Sequence, residues 1–182
     1  MKPKEPSLSL KIFPDAVLRA LCEPVETFNA QLREWTDEMF EIMRQSEGIG
    51  LAAPQAGISR QLFVCGIENA SLCLINPTII QGDSRADMIE GCLSLPDMHV
   101  RVTRNDRIVV AGYDIQGRQR HYELTGLWAR VVQHEMDHLK GVLICDYGEN
   151  VDIEKREGGP NAADSSNETN KVIAERKERH CK

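Results

Sequence analysis

A chain of 182 residues, 41% of them hydrophobic, is long enough for one domain with some length to spare. Its net charge of -6 argues against a nucleic-acid-binding surface, and no apolar run approaches the roughly 20 residues that a membrane-spanning helix needs. The six cysteines are irregularly spaced and form no Cys-x-x-Cys pair, which reads as free thiols in a reducing compartment and speaks against a closed four-cysteine zinc site.

Residues 1–10 carry two lysines but no apolar core or cleavage pattern, so no secretory signal is expected and the expected location is cytoplasmic. Leu8, Leu10 and Ile12 alternate as a short strand over residues 7–13, closed by Pro14-Asp15. Asn29 is a candidate N-cap for a helix in which Leu32, Trp35, Met39, Ile42 and Met43 recur at helical spacing, and Gly48 marks its end. Residues 48–55 then cluster small side chains around Pro54. Such a stretch lets backbone approach a ligand closely, or is an ordinary connecting loop.

Strands are expected at residues 62–67 and 72–75, joined by a turn at 68–71, with Asn76-Pro77 breaking the second and a polar surface loop at 81–87. Cys92 lies in the run Glu-Gly-Cys-Leu-Ser-Leu-Pro at residues 90–96, as one more buried thiol or as a metal ligand. A hairpin follows, with strands at 107–113 and 119–124 around a turn at 114–117. Thr125 is a candidate N-cap for a helix buried through Leu127, Val131, Val132, Met136 and Leu139, and finished by Lys140 and Gly141.

That helix carries the chemistry. His134 and His138 are one turn apart on one face and can bind one metal ion, while Glu135 can reach a water on that metal. The bland alternative is a polar helix face with two solvated histidines. A cysteine added to the two histidines leaves a fourth position open for water, as metal-assisted hydrolysis requires.

Three motifs stand in order: Gly-Ile-Gly-Leu-Ala-Ala-Pro-Gln at 48–55, Glu-Gly-Cys-Leu-Ser-Leu-Pro at 90–96 and Gln-His-Glu-Met-Asp-His-Leu-Lys-Gly at 133–141. Over about residues 7–147 the chain resembles the peptide deformylases. The resemblance implies an α+β fold with antiparallel strands around a central metal-bearing helix. It implies one Fe2+ per chain held by Cys92, His134 and His138, with Zn2+, Ni2+ or Co2+ able to replace it. The implied reaction is removal of the formyl group from the N-terminal formyl-methionine of newly made polypeptides, releasing formate: a metal-bound water attacks the formyl carbon, and Glu135 acts as general base and then acid. Gln55, through its side-chain amide, and Leu93, through its backbone N–H, are the implied donors to the oxygen that gains charge.

Substrate is expected to pair as an added strand near Gly50 and Gly91, with the methionine side chain among Ile49, Leu127, Val131 and His134. Glu90 is expected to pair with Arg104 and steady the Cys92 loop. The implied partners are N-formyl-methionyl nascent peptides and the ribosome, with no nucleic-acid or membrane role and a monomeric state. A zinc peptidase of the His-Glu-x-x-His type would usually take a third His or Glu downstream, where only His180 follows, and an inactive binding module would be expected to have lost Glu135, Gln55 or a ligand.

Three features depart from the family pattern. His99 stands where many bacterial members carry arginine. Arg130 stands where an apolar pocket residue is common, its stem expected along the pocket and its guanidinium in water. The catalytic domain is expected over residues 1–147, followed by a polar, flexible tail at 148–182, in which 170–179 reads as solvated disorder or as a short basic helix.

Overall fold

The computed structural model describes residues 8–151 of the chain. Two α-helices, α1 (Ala30–Gln45) and α2 (Gly126–His138), accompany five strands: β1 (Gly50–Ala52), β2 (Leu62–Ile67), β3 (Ala70–Cys92), β4 (Leu95–Tyr113) and β5 (Gln119–Thr125). Short 3-10 turns occur at Ala16–Arg19, Ala53–Ala56 and Ile144–Asp146. The strands form one antiparallel sheet in the order β1-β2-β3-β4-β5, so each strand pairs with its neighbour in sequence. This is the expected α+β arrangement.

Strand β2 shows how the sheet is covered on both sides. Phe63, Cys65 and Ile67 join one apolar cluster with Trp128, Val132 and Met136 of α2. Leu62 and Val64 join another with Leu32, Met39 and Met43 of α1. Alternate residues of a strand face opposite ways, so α2 lies on one face and α1 on the other. A third cluster, with Leu18, Leu95, Val102 and Ile144, closes the end of the sheet near Cys92.

The start of α1 is capped as its sequence predicts: Asn29 Oδ1 accepts from the Leu32 N–H at 3.0 Å. Its end is not made by Gly48. Glu47 takes the left-handed turn (φ 55°), and the Gly48 N–H returns to Met43 O at 2.9 Å. Thr125 occupies the N-cap of α2 but makes no side-chain capping bond. After α2, Gly141 is required: φ is 71°, and a Cβ there would stand 2.5 Å from the Arg19 carbonyl oxygen.

Two expected elements come out differently. Residues 8–13 form no strand ladder. Instead Lys11 N–H bonds to Gln55 O at 2.7 Å and Phe13 N–H to Ser94 O at 2.9 Å, so the segment links two separate elements. The stretch 81–87 is strand, not loop. It belongs to a long ribbon in which β3 pairs with β4 from Ile75↔Tyr113 to Cys92↔Leu95. Asn76 (φ 49°) and Pro77 are absorbed as an irregularity between Ile75 and Thr78, and the strand runs on. No helix among the described residues is long and apolar enough to cross a membrane.

Candidate metal centre

Cys92 ends β3, and His134 and His138 project from α2 toward it. One ligand atom from each lies within 4.8 Å of the others. Register shifts between Gly91 and Cys92, so the cysteine leaves the regular ladder at a bulge that re-aims its side chain. Cys92 Sγ is 3.3 Å from His138 Nε2. A thiolate and an imidazole nitrogen sharing a tetrahedral ion stand about 3.5 Å apart, so this spacing suits a common metal. Burial, with the nearby His134 and Arg104, holds the His138 pKa well below its ordinary value.

His134 Nδ1 donates to Glu90 Oε2 at 3.0 Å, which turns its other nitrogen toward the cysteine side. Glu90 also receives Arg104, Nε at 2.7 Å and Nη2 at 2.9 Å, as the sequence predicts. Burial would raise the Glu90 carboxyl, but the hydrogen bonds from His134 and Arg104 outweigh it and hold the pKa down at about 2. Arg104 continues to Asp137 Oδ2 at 2.7 Å, which Tyr147 Oη also reaches at 2.7 Å.

Glu135 faces the other side of the site. The carboxylate is buried, and Oε2 has no protein partner among the described residues. Burial pushes its pKa up to about 7, where a carboxylate can take and return a proton near neutrality. The first motif makes room for it. A Cβ on Gly50 would lie 2.2 Å from Glu135 Oε1 and 2.9 Å from Val131 Cγ1, so β1 passes this point only without a side chain. Gln55 is also buried. Its Oε1 accepts from Ala52 N–H at 2.8 Å, which leaves the NH2 group aimed at Ser94 Oγ (3.1 Å) and Cys92 Sγ (3.5 Å).

Gln55, Glu90, Cys92, His134 and Glu135 line a cleft of about 390 Å³ together with Ile49, Gly91, Leu93, Leu127 and Val131. Ile49 and Met88 are exposed at its rim, 43% and 44%. The structure thus brings together Gln55, Cys92, Leu93, His134 and Glu135 with Ile49, Gly50, Gly91, Leu127 and Val131. His138 is buried behind them and faces Cys92.

Arg130 is a correction. Its side chain lines the cleft, but the guanidinium does not reach water. Nη1 donates to Glu90 Oε1 at 2.6 Å and to Val102 O at 3.0 Å, and Nη2 donates to Ala86 O at 2.7 Å. His99 pairs across the ribbon with Gly91, and its ring Cδ2 and Nε2 lie beside that glycine. Its backbone bonds to Asn150 and Val151. Sequence reasoning missed Ser94, fully buried against Gln55, and Asp137, whose place inside the third motif was a signal not used.

The family model described as "Polypeptide deformylase" matches residues 8–154. The peptide deformylase of Thermotoga maritima is 43% identical over 138 residues, covering 75% of this chain and 84% of its own. Peptide deformylase 1B, chloroplastic, of Oryza sativa subsp. japonica is 41% identical over 148 residues; 78% of this chain is matched, but the chain spans only 55% of the rice protein's length. The crystal structure of a peptide deformylase from Synechococcus elongatus in complex with actinonin is 41% identical with a TM-score of 0.76, over 82% of this chain and 83% of that one.

Proposed function

The chain belongs to the peptide deformylase family, metal-dependent hydrolases that remove the formyl group from newly made polypeptides, and on that premise we propose how its own residues divide the work. Cys92, His134 and His138 hold one divalent ion, Fe2+ in the native enzyme, with Zn2+, Ni2+ or Co2+ as workable replacements; thiolate and imidazole donors suit all four. When bound, the ion supplies Lewis acidity, which makes a water acidic near neutral pH and polarises the formyl carbonyl.

Glu135 takes the proton of the attacking water and returns it to the leaving amine. Its burial and its raised pKa support that double role. As water adds to the formyl carbon, the carbonyl oxygen gains negative charge. The Gln55 NH2, pre-aimed by Ala52, and the Leu93 N–H are the donors for it. An incoming oxygen replaces the weak 3.5 Å contact of Gln55 with Cys92 Sγ. The peptide runs beside Gly50 and Gly91, which both line the cleft, and pairs there as an added strand; its methionine side chain lies against Ile49, Leu127 and Val131 beside His134.

The substrate partners are N-formyl-methionyl nascent peptides. Contact with the ribosome, a monomeric state and a cytoplasmic location complete the reading. The segment 170–179, expected as solvated disorder or as a short basic helix, lies outside the described residues, as do His180 and Cys181. The catalytic unit proposed for residues 1–147 is extended by Asn150 and Val151, which bond to His99; the tail beyond lies outside the described residues.

The observation that carries the proposal is the convergence of Cys92, His134 and His138 beside a buried carboxylate with one oxygen unpartnered among the described residues. The test is formate release from a formyl-Met tripeptide, using protein purified without oxygen and loaded with Fe2+. Native protein is expected to release formate, and Glu135→Ala is expected to keep its metal and release none. A native protein that binds Fe2+ without releasing formate overturns the assignment.

A further inference from the structure

Glu90 is held by more donors than a single supporting arginine would supply. Oε2 accepts from His134 Nδ1 and Arg104 Nη2, and Oε1 accepts from Arg104 Nε and Arg130 Nη1. The two arginines are not equivalent. Arg104 stands on β4 and shares its guanidinium between Glu90 and Asp137. Arg130 stands on α2, four residues before His134, and so on the same helix face. Besides Glu90 it reaches Val102 O on β4 and Ala86 O on β3. One buried side chain therefore joins the helix that carries two ligands, the ribbon that ends in the third, and the carboxylate that orients His134. The charges balance, with Arg104 and Arg130 against Glu90 and Asp137, so the cluster is buried without a lone uncompensated ion.

We infer that Arg130 is a positioning residue of the metal centre: it fixes Glu90 against His134 and sets the spacing between the Cys92 ribbon and the histidine helix. The inference rests on the assignment of Cys92, His134 and His138 as the ligands. Removing the guanidinium leaves the buried Val102 carbonyl and Glu90 Oε1, and the half-buried Ala86 carbonyl, each short of a donor. A lysine restores a charge near Glu90, but not the fork that spans all three acceptors.

The experiment uses the full chain loaded with Co2+, with Arg130→Met, Arg130→Lys and His134→Ala alongside. Three properties are read: the rate of Co2+ transfer to a chelator, the visible ligand-field spectrum, and the far-ultraviolet circular dichroism of the metal-free protein. Arg130→Met is expected to keep its secondary structure, to release Co2+ about 10-fold faster or more, and to shift the ligand-field bands. Arg130→Lys is expected to fall between it and the native protein. A purely structural loss would lower thermal stability and leave the spectrum in place. A folded Arg130→Met with unchanged spectrum and release overturns the inference. Slower release also overturns it, because the loss of a nearby positive charge would then outweigh the loss of positioning. Should Arg130→Met fail to fold, a folded Arg130→Lys with native spectrum and release overturns it equally. His134→Ala separates the two layers: if it holds Co2+ as the native protein does, the ligand assignment is what fails.

Discussion

At the scale of single residues, Gln55 and Glu90 make the site more than a set of ligands. Gln55 Oε1 is fixed by Ala52, so its NH2 is oriented before substrate arrives. Gln55→Leu keeps the volume and removes the donor. It is expected to lower kcat by about 100- to 1,000-fold with metal content unchanged, checked by single-turnover formate release and metal analysis. Glu90 makes the fold sensitive to acid. Its folded pKa of about 2 lies below the roughly 4.3 of a free glutamate, so the folded state binds fewer protons than the unfolded one between those values. The stabilisation is complete above the unfolded value and is lost as pH falls through the folded one. Glu90→Gln also removes the only carboxylate described beside Arg130 and leaves Arg104 with Asp137, and is expected to cost about 3 kcal/mol at neutral pH. The gap to the native protein should close toward about pH 2, as denaturant titrations at a series of pH values would show.

At the scale of elements, local signals were legible and distant ones were not. The α2 helix announces itself because His134, Glu135 and His138 sit at helical spacing on an otherwise apolar segment. The α1 cap was equally readable from Asn29. Replacing it by alanine is expected to cost about 1 kcal/mol in chemical denaturation, with activity at saturating substrate unchanged, because the bond lies far from the cleft. The 81–87 strand was not readable. Its side chains are mostly exposed on both faces, so no apolar alternation marks it, and its order comes from backbone pairing with β4. Residues 8–13 misled in the opposite way. Leu8 and Leu10 do pack into the α1 cluster, so the alternation is real, yet among the described residues no strand pairs with the segment. Arg130 was misread for a related reason: its partners lie 28 to 44 positions away on β3 and β4. Nothing in its immediate sequence distinguishes such an arginine from one in water.

At the scale of the whole molecule, the sheet and α2 are joined through the metal centre as well as through the core. Cys92 comes from the ribbon and the two histidines from the helix, so an ion bound to all three links both layers. Removing it is expected to lower thermal stability. With metal present at about 100 times its dissociation constant, the difference is about 2.7 kcal/mol, read as a lower Tm for the chelated protein and restored by adding metal back. The three sequence motifs fell in order along the chain, and that order matches their meeting in space: β1 passes Glu135, β3 delivers Cys92, and α2 closes over both. What the motifs did not convey was the ionic node beneath them, because charged residues scattered over β3, β4 and α2 look like an ordinary wetted surface until the strands are paired.

The contact between Gly50 and Glu135 bears on how this protein can escape an inhibitor. A compound lodged in the cleft touches two kinds of wall. At Gly50, any larger residue drives a Cβ into the Glu135 carboxylate, so an escape mutation there is expected to lose, along with the drug, the turnover proposed for that carboxylate. Met88 stands at the exposed rim, outside the residues proposed for the methionine side chain, and can change size or polarity. Resistance under selection should therefore collect there, and a compound that draws its affinity from the β1 backbone rather than from that side chain should hold its potency longest.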